Sequence, residues 1–310
     1  MSIENDSSSL DQKVEKTEVK EMILNDYRIM MESREASLLG RREVLTGKAK
    51  FGIFGDGKEL AQLCLAKQFM DGDYRSGYYR DQTIMLALGE VTLQEYYAQL
   101  FSDTNVDNEP HSAGRQMNCH YGTRFINDDG TWKDMTKIKI TTTDLSPTAA
   151  QMPRIMGLGL ASKLFREDKN LHQFTTLSNK GNEIVFGTIG DGSTSEGIFL
   201  EAINAMGVLQ IPVVMSVWDD GHAISVPVEK QTTKGSISEA LKGFVKENGS
   251  NGIEILKARG WNYPELCAAY DKAAKIARKT HTPVLVHVVE LTQPQGHSTS
   301  GSHERYKSKD

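Results

Sequence analysis

Two aspartates, Asp191 and Asp220, stand 29 positions apart, each just past a run of apolar residues. Asp191 lies in Gly190-Asp191-Gly192-Ser193-Thr194-Ser195-Glu196-Gly197, and Asp220 in Val217-Trp218-Asp219-Asp220-Gly221-His222. Carboxylates are hard oxygen donors, and Mg²⁺ usually takes one or two of them together with phosphate oxygens. A backbone carbonyl from the Asp220-Gly221-His222 turn can add a third protein ligand. Gly190 and Gly192 let the backbone approach a ligand closely. A helix starting near Ser195 would present free N–H groups to a diphosphate. The spacing therefore predicts one pocket for a divalent metal and a diphosphate.

Such a pocket needs two neighbouring strand ends. Glu183–Ile189 and Pro212–Val217 read as strands, with a helix over Ser195–Leu209 between them. Ligands of open α/β sheets sit beyond the carboxyl ends of the strands. A further helix over Tyr263–Thr280 precedes a strand over Pro283–Leu291. Ile184-Val185-Phe186, Val213-Val214-Met215 and Val284-Leu285-Val286 are the continuous apolar runs of buried parallel strands. The fold class that follows is α/β, a mainly parallel sheet with helices on both faces.

Upstream, residues 1–17 are polar and read as a flexible tail. From Glu18 to about Leu45, Met22, Ile23, Tyr27, Met30, Met31 and Leu38 fall near helical spacing and predict an amphipathic helix. Lys48–Asp56 reads as a loop, Gly57–Met70 as a helix, and Thr83–Leu100 as containing another. Residues 102–145 are polar and rich in Asp, Asn and Gly, the mark of a long functional loop region. Thr148–Phe165 reads as a helix. Its Gly157-Leu158-Gly159 imitates a dinucleotide-binding loop, but no strand precedes it, so close helix packing is expected instead. Residues 18–310 are taken as one domain, truncated at the C-terminus.

Bulk properties narrow the class. The 310 residues carry a net charge of −5, with 38% hydrophobic and 25% charged residues. That charge offers no electrostatic footprint for nucleic acid. No run approaches the roughly 18 apolar residues of a membrane span. Neither a secretory h-region nor an Arg-rich transit peptide is read at the start. The three cysteines, Cys64, Cys119 and Cys267, have neither metal-site nor disulfide spacing, which suits reduced thiols in a cytoplasmic protein.

The segment Gly190–Pro227 resembles the thiamine diphosphate motif of the alpha part of 2-oxo acid dehydrogenases, the decarboxylating components of the pyruvate and branched-chain complexes. Further stretches match in family order. Gly57-Lys58-Glu59 resembles an early Gly-Gln-Glu element, and Tyr79-Arg80-Asp81 a Tyr-Arg diphosphate clamp. Gly114-Arg115-Gln116-Met117 and His120-Tyr121-Gly122 are similar to the branched-chain subgroup. Ser146-Pro147 through Gln151-Met152-Pro153 resembles a cofactor-ring loop, and Gly296-His297-Ser298-Thr299-Ser300 an active-site His loop.

The resemblance implies a thiamine diphosphate-binding fold and oxidative decarboxylation of a 2-oxo acid, with acyl transfer to lipoyl-lysine. Asp191 and Asp220 would bind Mg²⁺ through side chains and His222 through its backbone oxygen. Tyr79 and Arg80 would hold the diphosphate, Arg80 by a bidentate grip. Gly192 and Ser193 would add backbone N–H donors, and Ser146 and Thr148 would lie near the cofactor rings. His297 would be the catalytic histidine, orienting the substrate or the lipoyl group. Implied partners are a beta-type part, separate or fused, and a lipoyl acyltransferase core, in a dimer or α2β2-like assembly.

Three departures from the resembled pattern stand out. Asp219-Asp220 replaces the usual Asn-Asn, an added negative charge that should weaken diphosphate binding unless neighbours compensate. Trp218 stands where branched-chain members resemble an arginine, so one phosphate contact is expected to be missing. Tyr78 replaces a polar residue. Alternative readings are a transketolase-like or acetoin-cleaving enzyme on the same scaffold, or a non-catalytic assembly subunit. A P-loop nucleotide enzyme is disfavoured because no Gly-Lys-Ser/Thr follows the glycine loop.

Overall fold

The computed structural model describes residues 7–247 and 249–307, with side chains from residue 17 onward. In chain order the strands are β1 (Tyr74–Ser76), β2 (Ile140–Thr141), β3 (Val185–Gly190), β4 (Val213–Trp218), β5 (His222–Ala223), β6 (Val226–Pro227), β7 (Glu254–Arg259) and β8 (Val284–Val289). Six of them form one sheet in the order β2-β1-β3-β4-β8-β7. Every pairing in it is parallel. β5 and β6 make a separate antiparallel hairpin.

The helices are α1 (Ser7–Leu45), α2 (Glu59–Ala66), α3 (Gln82–Leu88), α4 (Leu93–Leu100), α5 (Met152–Glu167), α6 (Gly197–Leu209), α7 (Val228–Gln231), α8 (Ile237–Ala240) and α9 (Tyr263–Thr280). Side chains alternate across each strand, so each inner strand feeds two cores. Phe186, Val214, Trp218, Val286 and Val288 pack with α2 and α9 on one face. Val185, Ile189, Val213, Met215, Val217 and Leu285 pack with α5 and α6 on the other. Helices thus cover both faces, and the expected fold class is borne out. In α5, a Cβ on Gly159 would come within 2.9 Å of Val213 Cγ2, which accounts for the small residue as close helix–sheet packing.

Local signals explain the helix ends. Asn262 caps α9 by accepting from the Glu265 N–H, and Pro264 sits in the first turn. Thr92 and Glu95 form a reciprocal capping box on α4. The segment Thr83–Leu100, read as containing a helix, carries most of α3 and all of α4, with Gly89 in the left-handed conformation at the end of α3.

Residues 1–6 lie outside the described residues, and residues 7–17, read as part of a tail, form the start of α1. Their Gln, Lys, Glu and Leu residues are good helix formers. The stripe expected to bury α1 also faces outward. Met22, Ile23, Tyr27, Met31 and Leu38 are exposed, whereas Ser33, Ala36, Ser37 and Arg41 are buried. α1 docks largely through polar bonds. Ser33 Oγ lies 2.7 Å from Thr83 Oγ1, Arg34 pairs with Glu59, and Arg41 pairs with Asp56 at 2.5 Å.

Between the edge strand β2 and β3, Arg75 on β1 is fully buried. Its guanidinium reaches Asp81 at 2.7 Å and Asp144 at 3.0 Å. Asp81 also accepts from Thr188 Oγ1 on β3. Asp81 adjoins Arg80, and Asp144 lies two residues before Ser146, so this triad fixes the starts of two loops at once. Arg75→Leu would leave two buried carboxylates without their cation. It is expected to cost about 3–5 kcal/mol of stability. Urea unfolding measures this, and a loss below about 1 kcal/mol would refute the triad's structural role.

Candidate functional site

β3 and β4 are hydrogen-bonded neighbours over their full length, with Gly190 opposite Trp218. Asp191 and Asp220 follow directly at their carboxyl ends and face one cavity of about 400 Å³. Small-molecule sites commonly have this size. Tyr79, Arg80, Ser146, Thr148, Asp191, Gly192, Ser193, Asp220, His222 and His297 all line it. One difference lies between strand and helix. Asp191–Ser195 forms a 3-10 turn before α6 begins at Gly197, so the donors expected at a helix start belong to that turn. Thr194 Oγ1 steadies the turn by donating to the Asp191 carbonyl at 2.6 Å.

The two aspartates beside β4 have divided roles. Asp219 accepts from His287 Nε2 at 2.8 Å and from the Gly221 N–H at 2.9 Å. It pins the turn to β8. Asp220 accepts from Lys58 Nζ at 2.7 Å. Lys58 also donates to Gln293 Oε1 at 3.1 Å and is only 1% exposed. Two departures from the resembled pattern, Lys58 for glutamine and Asp220 for asparagine, therefore meet in one ion pair. The added negative charge has its compensating neighbour. Burial pushes the Asp220 carboxyl up, but Lys58 and Arg80 more than offset this and hold it below the usual carboxylate value.

The loop carrying Lys58 is clamped from two sides. Arg34 and Arg41 of α1 hold Glu59 and Asp56. Gly57 has φ +96°, and a Cβ there would lie 1.9 Å from the Thr292 carbonyl oxygen. Only glycine permits both the conformation and that approach. The His297 loop packs on the same segment, since Thr299 donates through N and Oγ1 to the Gly52 carbonyl.

Arg80 donates from Nη1 to the Phe54 carbonyl at 2.7 Å and from Nη2 to the His297 carbonyl at 2.7 Å. Nη2 also lies 2.9 Å from His297 Nδ1. A guanidinium only donates, so Nδ1 accepts and the neutral ring carries its proton on Nε2. Burial, aided by Arg80, lowers the imidazole to about 4. His297 is therefore neutral at physiological pH. Its ring resonances should not titrate between about pH 5.5 and 8 in an NMR pH series, and a midpoint near the ordinary value of about 6.5 would refute the assignment.

Ser146 Oγ lies 2.9 Å from His120 Nε2. His120 Nδ1 faces the Asn118 carbonyl, an acceptor, so in the neutral ring Nε2 accepts from Ser146. Lys58, Lys307 and Gln293 line the cavity without having been singled out as site residues. Their signal in the sequence is faint, because each meets the site only through long-range folding. Trp218 is fully buried against Tyr270 and does not line the cavity. Tyr78 is buried, with its hydroxyl group close to Gly190.

Asp191 is the strained member. Burial, then the charges of Asp220 and Asp219, push its carboxyl up to about 8. Its nearest side-chain donor is Gln231 Nε2 at 3.4 Å. With the folded-state value raised, its contribution is full below the ordinary carboxylate range and is lost as pH rises through about 8. Asp191→Asn removes that loss. The variant is expected to exceed the wild type in stability by a margin that widens by at least about 1 kcal/mol between pH 5 and pH 8. Thermal melts across that range test this, and a margin that stays flat or narrows would refute it.

The chain resembles known proteins over most of its length. The profile of the dehydrogenase E1 component family matches residues 27–310. The 2-oxoisovalerate dehydrogenase subunit alpha of Bacillus subtilis is 28% identical over 293 residues, covering 92% of this chain and 74% of that protein. The mitochondrial 2-oxoisovalerate dehydrogenase subunit alpha 1 of Arabidopsis thaliana is 27% identical, covering 85% of this chain and 48% of its own length. The corresponding human mitochondrial subunit alpha is 24% identical, covering 94% and 56%. The chain therefore spans about half the length of the plant and human relatives. The resemblance read from scattered short motifs is borne out, and the chain belongs to the dehydrogenase E1 component family, on its alpha side.

Proposed function

We propose that this chain is the diphosphate-binding alpha part of a 2-oxo acid dehydrogenase that uses thiamine diphosphate and takes branched-chain 2-oxo acids. The carrying observation is the single cavity at the β3 and β4 ends, which gathers two aspartates, Arg80, Lys58 and His297. Its chemistry suits a diphosphate. Lys58, Arg80 and Lys307 face it, against the two carboxylates of Asp191 and Asp220. Cations therefore outnumber carboxylates. Thiamine diphosphate, when bound, supplies the ring that stabilises the carbanion left by loss of CO₂.

The chain's own residues set the rest. Arg80 and the Gly192–Ser193 backbone would hold phosphate oxygens, with Tyr79 beside them. Ser146, positioned by His120, and Thr148 would face the cofactor nearer its rings. The His297 Nε2–H is a donor for the substrate or an acceptor lipoyl group. Mg²⁺ would be held by Asp191, Asp220 and the His222 carbonyl, with Asp220 shared with Lys58. Among the described residues no cluster of three His, Cys, Asp or Glu side chains could hold a metal. Phosphate and backbone oxygens would thus have to complete its shell.

Partners in this reading are a beta-type part and a lipoyl acyltransferase core. The exposed apolar side chains of α1 support a protein partner, since such stretches mark interaction surfaces. A cytoplasmic location is part of the proposal, supported by three free thiols. No helix among the described residues is long and apolar enough to cross a membrane.

Calorimetric titration with thiamine diphosphate and Mg²⁺ tests the cofactor. Release of CO₂ from a branched-chain 2-oxo acid, with a beta-type part and lipoamide present, tests the activity. Arg80→Ala is expected to weaken cofactor binding at least about tenfold, the loss of one charge-assisted phosphate contact. Unchanged affinity in that variant would sink the diphosphate assignment. Carbon–carbon cleavage without transfer to lipoamide would favour the transketolase-like or acetoin-cleaving alternative.

A further inference from the structure

We infer that Lys58 is a resident cation of the diphosphate site, placed on Asp220 so that cofactor retention depends only weakly on a divalent metal. The inference rests on the cofactor reading above and extends it. The Lys58 ammonium is 2.7 Å from Asp220 Oδ2 inside the cavity, and both side chains are almost wholly buried. Gln293 Oε1 takes a second ammonium proton at 3.1 Å, so the head group is held on two sides. Its stem has little freedom to swing away, because Gly57 is pressed on Thr292 and Glu59 is gripped by Arg34.

A divalent ion bridging Asp191 and Asp220 would sit close to this ammonium, and the two cations would repel in a site shielded from water. Asp220 cannot give its full charge to both. The ammonium already supplies what a diphosphate needs on that side, a positive charge with hydrogen-bond donors. Asp191 is the other carboxylate a metal would use, and its neighbour Asp220 is already engaged by the ammonium.

The test is calorimetric titration of thiamine diphosphate into the protein, as purified with any chain that accompanies it, in EDTA and in excess Mg²⁺. The wild type is expected to bind in both, with affinities within about tenfold. Lys58→Gln frees Asp220, and its Mg²⁺ effect should rise to about 100-fold or more, at the upper end of ordinary coupling between two ligands. Lys58→Gln leaves a buried charge unpaired, so the double variant Lys58→Gln/Asp220→Asn, which buries none, is measured beside it. The same rise is expected there. Direct titration of Mn²⁺ without cofactor should likewise show tighter binding to Lys58→Gln than to the wild type. A wild type that binds only with Mg²⁺, by the same factor as the double variant, overturns the role of Lys58 and leaves the cofactor reading standing. Absence of thiamine diphosphate binding to any form, with or without Mg²⁺, overturns both.

Discussion

Arg75 sits inside the sheet with no contact to solvent and holds Asp81 and Asp144, which come from different loops. Burial drives the Asp81 carboxyl toward the neutral form, and Arg75 offsets only part of this. The guanidinium keeps that cost bearable only while all three groups stay in register. Everything at the strand ends inherits this constraint. Arg80 immediately precedes Asp81 in sequence, Ser146 follows Asp144 by two positions, and Thr188 ties the arrangement to β3. A buried charge cluster of this kind is a poor source of stability but a strong selector of geometry.

Some elements were legible in the sequence because they obey simple rules. β3, β4 and β8 are built on apolar runs such as Val213-Val214-Met215 and Val284-Leu285-Val286, and α9 has both its cap and its period. β1 and β2 are three and two residues long, too short for any alternation to register. β7 was unreadable for another reason. It is an edge strand carrying Glu254, Lys257 and Arg259, and its pattern is that of a half-exposed surface. In α1 the helical period was right and the buried face wrong, because serine and arginine side chains dock it by hydrogen bonds where apolar packing was expected.

The site shows the same division. Asp191 and Asp220 stood out because a strand–helix–strand frame puts them side by side. The partner that makes Asp220 tolerable lies 162 positions earlier, and no local pattern links them. Judged alone, Asp220 appeared to be a defect in an anion site. Paired with Lys58, it is one half of a neutral unit. Asp191 is the opposite case, a carboxylate whose surroundings oppose its charge and which the free chain holds at a cost. Strain of this kind is typical where a binding partner completes the electrostatics.

Trp218 gives the molecule an optical property of its own. It is wholly enclosed two residues before Asp220, and its Nε1 has no hydrogen-bond partner among the described residues. Trp132 and Trp261 are largely open to water, at 65% and 59% exposure. Emission from an indole in an apolar enclosure lies to the blue of emission from hydrated ones. The protein therefore carries an intrinsic reporter lodged in the strand that ends at its own binding cleft, spectrally separable from its two surface tryptophans.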